Sequence, residues 1–417
     1  MARVLLLIPS ATYRAPDFMA AAQRLDIEVV VGSDRGSPLE GVAAGRTLTV
    51  DLNDPQAGAR QIAAFAQQYP LDSVVAVDDA GALVAAAASQ LLGLPHNPFE
   101  AVEATRNKYL LRRRLQRGEL LTPHYRLLSV DDEPATVAAE LAAQGGFPCV
   151  VKPLALAGSR GVMRADDEAG FVAAFERLRA MLADPEGAAD CGETAGQVLV
   201  EGYIAGVEVS LEGLLVDGEL HTLALFDKPD PLEGPFFEET IYVTPSGLPA
   251  EVQDDIVESV QRSARALGLD DGPIHAELRV NDDGVWPIDV AARSIGGLCS
   301  RTLSFLAGSL EELILRHAIG ADPPSYERTG AASGVIMVPI PSGGTLRAVR
   351  GVEQAEAVAG VSEVTITMRP GQRLVPLPEG SEYLGFIFAQ GESPEVVEAA
   401  LREAHAALEF EISADAD

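Results

Sequence analysis

His275-Ala-Glu277-Leu-Arg-Val280, Asn281-Asp-Asp-Gly284 and Val285-Trp-Pro-Ile-Asp289-Val290 read as a strand, a turn and a returning strand. A three-residue loop Asp282-Asp283-Gly284, with Gly284 in the left-handed position, pairs Asn281 with Val285. Counting back from that register sets Glu277 opposite Asp289. Opposed residues share a face, with β-carbons roughly 5 Å apart. Two carboxylates at that spacing repel unless a cation lies between them. Hard oxygen ligands so arranged suit Mg2+, which takes one or two carboxylates and completes its shell with nucleotide phosphates. Leu278, Val280, Ile288 and Val290 supply the opposite, core-facing side. Arg293, just downstream, is a natural partner for the remaining negative charge.

A chain of 417 residues is long enough for about two or three domains, each with its own core. At 47% hydrophobic and 22% charged it has the composition of an ordinary globular protein. A formal net charge of −31 argues against nucleic acid as a partner. The cysteines, Cys149, Cys191 and Cys299, are odd in number and scattered, which fits neither a disulfide framework nor a zinc site and favours a reducing cytoplasm. The apolar run after Met1 is too short for a signal peptide. No run of about 18 apolar residues offers a membrane span.

Working outward, residues 3–8, 25–31, 48–50 and 73–77 read as short buried strands. A helical pattern lies at 56–68, and Asp78-Asp79-Ala-Gly81 opens an Ala-rich helix that ends at Gly93. This alternation predicts a doubly wound parallel sheet over residues 1–100. No GxGxxG follows its first strand, so dinucleotide binding is not expected there. A basic helix is expected over 105–118, another over 134–144, strands at 149–153 and 161–163, and a helix over 166–183. The segment 184–196 reads as a mobile loop, residues 197–225 as a β-meander with a hairpin turn at Asp217-Gly218, and 227–247 as a loop. Helices at 250–267 and 309–318 flank the carboxylate hairpin. Beyond about residue 332 the pattern is a compact α+β tail.

Several residue types recur in a telling order. Lys108 lies on the basic helix. Lys152 precedes Pro153 on an apolar strand, where its charge needs a partner, and phosphate is the obvious one. Leu156-Ala-Gly158-Ser159-Arg160-Gly161 is a small-residue turn whose N–H groups can approach an anion closely. Glu201-Gly-Tyr203-Ile204-Ala-Gly206-Val-Glu208 comes next, and then Glu277, Asp289 and Arg293. In this order the residues resemble the ATP-grasp superfamily over essentially the whole chain. Asp289-Val-Ala-Ala-Arg293-Ser-Ile-Gly296-Gly297 and the tail resemble its L-amino-acid ligases, the dipeptide synthetases.

That resemblance implies an α/β and α+β architecture. A Rossmann-like domain at 1–100 precedes an ATP-grasp domain at 101–330, with a first subdomain and lid at 101–200 and a metal-bearing second subdomain at 201–330. A C-terminal α+β domain at 331–417 follows. For the nucleotide it implies Lys108 and Lys152 on the phosphates, and Gly158, Ser159 and Gly161 in a flap. Glu201, Tyr203 and Ile204 would lie at the adenine linker, and Glu208 on the ribose. Glu277 and Asp289 would hold Mg2+, with Mn2+ as a substitute. Many ATP-grasp enzymes carry Glu and Asn where this chain has Asp289 and Ala291. Arg293 with Gly296 would stabilise an acyl phosphate and the oxyanion that follows, and Gly297 would let a substrate carboxylate approach backbone N–H groups. Glu239, in Phe236-Phe237-Glu238-Glu239, could hold an ammonium group, and His275 could touch substrate. The implied activity is ATP-dependent, ADP-forming ligation of a carboxylic or amino acid to an amine, and the resemblance suggests a homodimer. Other readings of the same residues are a carboxylase or purine-pathway ATP-grasp enzyme, a small-molecule kinase and a non-catalytic ATP-binding regulator.

Overall fold

Arg3–Leu7 is an apolar run without alternation, and its residues from Val4 onward are buried. Such a run suits the middle of a sheet covered on both faces. The computed structural model, which describes residues 2–10, 12–35, 45–321 and 323–414 (the side chain of Glu186 aside), places it there. The parallel sheet runs Thr47–Thr49, Glu28–Ser33, Arg3–Leu7, Ser73–Ala76. Helices Ala15–Arg24, Pro55–Ala66 and Asp79–Leu92 accompany it. The last begins beside the functional cavity. Asp78 is its cap, its carboxylate accepting from the Ala80 N–H at 3.1 Å. The three cysteines are free and buried. No helix among the described residues is long and apolar enough to cross a membrane.

The expected single helix over 105–118 is two helices, Phe99–Arg106 and Lys108–Arg117. Asn107 breaks them: its backbone is extended, and its side-chain oxygen accepts from the Tyr109 and Leu110 N–H groups at 3.1 and 3.2 Å. The 184–196 segment is not a loop but carries a helix, Pro185–Cys191, and a 3-10 turn, Gly192–Thr194. Nor are residues 197–225 one meander. Gln197–Gly202 joins Tyr125–Ser129, Cys149–Pro153 and Met163–Ala165 in a four-stranded sheet. Val207–Val216 and Glu219–Asp227 belong to a different sheet, joined by the hairpin at Asp217-Gly218. Apolar content cannot reveal such a switch, because both sheets bury their strands. The 227–247 loop contains a strand, Ile241–Thr244.

That second sheet is antiparallel and has eight strands, in the order Gly284–Ala291, Gly272–Asn281, Val207–Val216, Glu219–Asp227, Ile241–Thr244, Ala332–Val338, Gly385–Gly391, Val361–Ile366. Three strands of the C-terminal tail, Ala332–Val338, Gly385–Gly391 and Val361–Ile366, therefore extend the sheet that bears the carboxylate hairpin, while Gly344–Arg350, Arg373–Leu374 and Glu409–Ser413 form a separate sheet. Helix Ala250–Leu267 covers one face of the hairpin. Its Ile256, Val260, Ala264 and Leu267, spaced four, four and three apart, pack with Leu278 and Val290.

The hairpin differs from the sequence expectation at its tip and agrees with it at its base. Asn281 pairs with Gly284, so the connection is the two residues Asp282-Asp283. A regular ladder from that turn would set Glu277 against Ile288 and turn Asp289 to the other face. A β-bulge intervenes: Leu278 pairs with Pro287, and Glu277 pairs with Asp289. Ile288 is the extra residue, and it lines the cavity rather than the core side expected for it.

The guanidinium of Arg112 secures the bulge. It is fully buried, and its Nη1 and Nη2 donate to the Pro287 and Ile288 carbonyls at 2.8 and 2.7 Å. Its Nε and Nη2 also donate to the two oxygens of Glu201, on the four-stranded sheet, at 2.7 and 3.2 Å. One side chain thus ties the helix Lys108–Arg117 to both sheets. Replacing Arg112 by Met leaves Glu201 buried and the bulge carbonyls unpaired. The expected loss of unfolding free energy is about 3–5 kcal/mol in urea titration, with no rescue by Lys, whose single ammonium cannot span both sheets. A loss below about 1 kcal/mol would show that the bulge is held by something else.

Candidate active site

The two sheets, the parallel domain and the C-terminal segment meet around a cavity of about 380 Å³. Lys152 reaches it from the strand Cys149–Pro153 and is 4% exposed. Its ammonium lies 2.6 Å from Glu201. Burial lowers its pKa to about 8, against the pull of the Glu201 charge. Burial alone would raise the Glu201 carboxyl, but Arg112 and Lys152 bring it down to about 2. The carboxylate of Glu201 is thus spent on holding these two cations. Lys108, placed by the Asn107 break, donates to the Leu156 carbonyl at 2.8 Å and lies 3.7 Å from Asp289.

Gly158 and Ser159 form the cavity wall in left-handed conformations, at φ +62° and +56°. Gly161 does not line it: its N–H donates to the Pro378 carbonyl at 2.9 Å, and a β-carbon there would come within 3.0 Å of Leu178. The turn is also bound through Arg160, which donates to the Glu379 carbonyl at 2.9 Å and pairs with Asp190. The C-terminal segment and the 184–196 helix thus both support the flap.

Tyr203 and Ile204 line the far end of the cavity. The Tyr203 ring stacks on Phe237, and the guanidiniums of Arg164 and Arg279 lie 4.2 and 5.1 Å from its centre. Its N–H is taken by the Pro148 carbonyl, and the Ile204 carbonyl accepts from Arg279 at 2.7 Å. Glu208, expected on a ribose, gives one oxygen to Lys228 and the other to Arg279, both at 2.9 Å.

Sequence reasoning missed Lys228 and Arg279. The ammonium of Lys228 is buried among Glu208, Glu239 and Glu277, the last at 3.8 Å. Burial works against its charge, but the three carboxylates raise its pKa well above the ordinary lysine range. Those glutamates have the spacing of a metal cluster, with ligand atoms within 4.8 Å of one another. The lysine already supplies their cation. A signal was present, since Lys228-Pro229 repeats the Lys152-Pro153 pattern of a lysine ending an apolar strand. Glu239, proposed for an ammonium, holds that of Lys228 and accepts from the Tyr242 hydroxyl at 2.6 Å.

Glu277 and Asp289 both face the cavity, paired across the hairpin. Burial would raise the Glu277 carboxyl, but Lys228 and His275 lower it. Both ring nitrogens of His275 meet carboxylates: Nδ1 that of the buried Glu212, and Nε2 that of Glu277 at 3.4 Å. Burial disfavours its charge, yet Glu212 raises its pKa to about 9. His275 is therefore braced within the wall rather than extended toward a substrate. Two opposed carboxylates open to a cavity, with lysines beside them, form a donor set that fits Mg2+ with a nucleotide.

Arg293 does not pair with the acids it follows. It donates to Asp79 of the parallel domain through Nε and Nη2, at 3.0 and 2.8 Å. Asp79 and Arg106 were not expected in the site; the Asp78-Asp79 pair had been read only as the opening of a helix. Gly296 and Gly297 line the cavity. Gly297 adopts φ +59°, and a β-carbon on it would come 3.1 Å from the Phe386 ring.

Three family models match the chain: an ATP-grasp N-terminal domain at residues 19–96, an ATP-grasp domain at 145–302, and an L-amino acid ligase C-terminal domain at 336–413. The crystal structure of an L-amino acid ligase from Bacillus licheniformis superposes with a TM-score of 0.83 at 27% identity, covering 99% of both chains. Dapdiamide A synthase from Enterobacter agglomerans is 28% identical over 236 residues, 55% of this chain. Alanine–anticapsin ligase from Bacillus subtilis is 27% identical over 264 residues, 59% of this chain. The chain spans about half the length of these two relatives, 52% and 53% respectively. With three matching domains in order and the same fold throughout, the chain belongs to the ATP-grasp superfamily and has the architecture of the L-amino acid ligases.

Proposed function

We propose that the chain is an ADP-forming carboxylate–amine ligase that joins an acid, most simply an amino acid, to the amine of a second amino acid. The observation that carries this reading is the convergence on one cavity of Lys108, Lys152, the opposed Glu277 and Asp289, and Arg293. Lys152, held by Glu201, would contact the phosphates of ATP, with Lys108 and Lys228 adding positive charge near the transferring phosphoryl group. Glu277 and Asp289 would hold Mg2+, which when bound neutralises phosphate charge and orients the nucleotide. The substrate carboxylate attacks the γ-phosphorus, releasing ADP and forming an acyl phosphate. The amine then attacks the acyl carbon, and phosphate leaves. Arg293 would stabilise the oxyanion formed in that step, a role suited to a fixed charge with forked donors. The flap, resting on the C-terminal segment, would keep water from the acyl phosphate.

A screen of acids with and without amines, reading phosphate release and product mass, tests the reaction. An amide appearing with stoichiometric phosphate supports it. Bicarbonate or formate as the accepted acid, or a stable phosphorylated product, would replace it with another reaction. Glu277→Ala and Arg293→Ala should each lower amine-dependent phosphate release about 100-fold or more while the far-ultraviolet circular dichroism spectrum of the folded protein is retained. Near-full turnover in either variant would remove that residue from the mechanism.

Nucleotide affinity should depend on pH through Lys152. Its ammonium, titrating at about 8 in the free protein, is charged below that value and neutral above it. Affinity for ADP, measured by calorimetry, should therefore fall as pH rises from 7 to 9, and Lys152→Arg should flatten the profile. A wild-type affinity independent of pH over that range would refute the assignment.

A further inference from the structure

Arg293 enters the cavity already gripped. Its Nε and Nη2 donate to one oxygen of Asp79, and its Nη1 donates to the Ser294 carbonyl at 2.9 Å. Ser294 is itself fixed, accepting at 2.8 Å from the buried Arg14, which also donates to the Val77 carbonyl and to Glu311. The second Asp79 oxygen lies 3.3 Å from Arg106. The Arg293 and Asp79 side chains are only 15% and 20% exposed, so solvent screens their attraction little. A guanidinium carries five N–H donors. With three committed to the wall, the remaining two are left for a ligand.

Asp79 also decides between two positions for this cation. Arg293 lies within electrostatic reach of Glu212 and Glu277 as well as Asp79. Without Asp79 the attraction of Glu212 and Glu277 would act on the guanidinium unopposed, and a guanidinium drawn to Glu277 would block a carboxylate meant for the nucleotide end. Asp79 belongs to the helix Asp79–Leu92 of the parallel domain, far from Arg293 in sequence.

We infer that Asp79 is a positioning residue for the ligase reaction: it holds Arg293 aimed at the reacting acyl group and away from Glu277. This rests on the ligase reading above. The parallel domain is thereby part of the catalytic apparatus, because the orientation of the oxyanion-stabilising cation depends on its docking.

The test is a double-mutant cycle of Asp79→Asn and Arg293→Lys, with amine-dependent phosphate release measured at saturating ATP. Asp79→Asn is expected to lower kcat at least about 30-fold with the KM for ATP unchanged within about twofold. In the Arg293→Lys background, where no forked cation remains to be aimed, the same change should cost less than about threefold. A purely structural role for Asp79 would give equal losses in both backgrounds, and that result overturns the inference. So does an Asp79→Asn protein with wild-type kcat. The doubly substituted protein has no orphaned guanidinium at position 293, and the loss of the Arg106 contact is common to both Asp79→Asn proteins, so the comparison with Arg293→Lys stands even if Asp79→Asn alone does not fold. Absence of turnover in the wild type across all acids and amines would instead withdraw the ligase reading, and this inference with it.

Discussion

One buried guanidinium connects the fold to the site. Arg112 binds the carbonyls of Pro287 and Ile288 on one sheet and Glu201 on the other. The first contact secures the bulge that turns Asp289 toward Glu277. The second secures the carboxylate that keeps Lys152 charged near neutral pH. A fully buried charge is costly unless every donor is used. Here that cost is offset by strong bonds to two elements that must be in register for the cavity to exist.

The cavity manages its charge by local pairing. The chain as a whole is strongly acidic, yet an anionic nucleotide needs a receptive surface. Cations on the wall are fixed by carboxylates behind or beside them, Lys152 by Glu201, Arg279 by Glu208 and Arg293 by Asp79, and Lys228, behind the wall, is fixed by three glutamates. Such pairing preorganises donors before a ligand arrives, which is how an enclosed site gains from electrostatics without reorganising. It also separates two kinds of carboxylate. Glu201, Glu208 and Asp79 are committed to positioning, whereas Asp289 accepts from the Val290 N–H and has Lys108 at 3.7 Å as its cation.

The legible features of the sequence were the local ones. Unbroken apolar runs marked the parallel strands, and alternation with a turn signal marked the carboxylate hairpin. The facing of Glu277 and Asp289 was read from a turn one residue too long. The bulge at Ile288 makes up the difference, so the pairing agrees although the path to it does not. Bulges depend on which carbonyls a distant residue can bind, and Arg112 gives no local sign of that. Lys228, Arg279, Glu212 and Asp79 were missed for the same reason. Their partners lie tens to hundreds of residues away, and a single charged residue at a strand or helix end reads as solvated until the fold brings its partner to it. The helix at Pro185–Cys191 was misread because its small and acidic residues imitate a loop.

The claim on which the account turns is that Glu277 and Asp289 together accept a divalent ion with a nucleotide. Electron paramagnetic resonance of Mn2+ titrated into the protein with and without ADP tests it most directly. The account predicts binding that strengthens markedly when ADP is present and is lost in Asp289→Asn. ADP-dependent Mn2+ binding undiminished in that variant would contradict it.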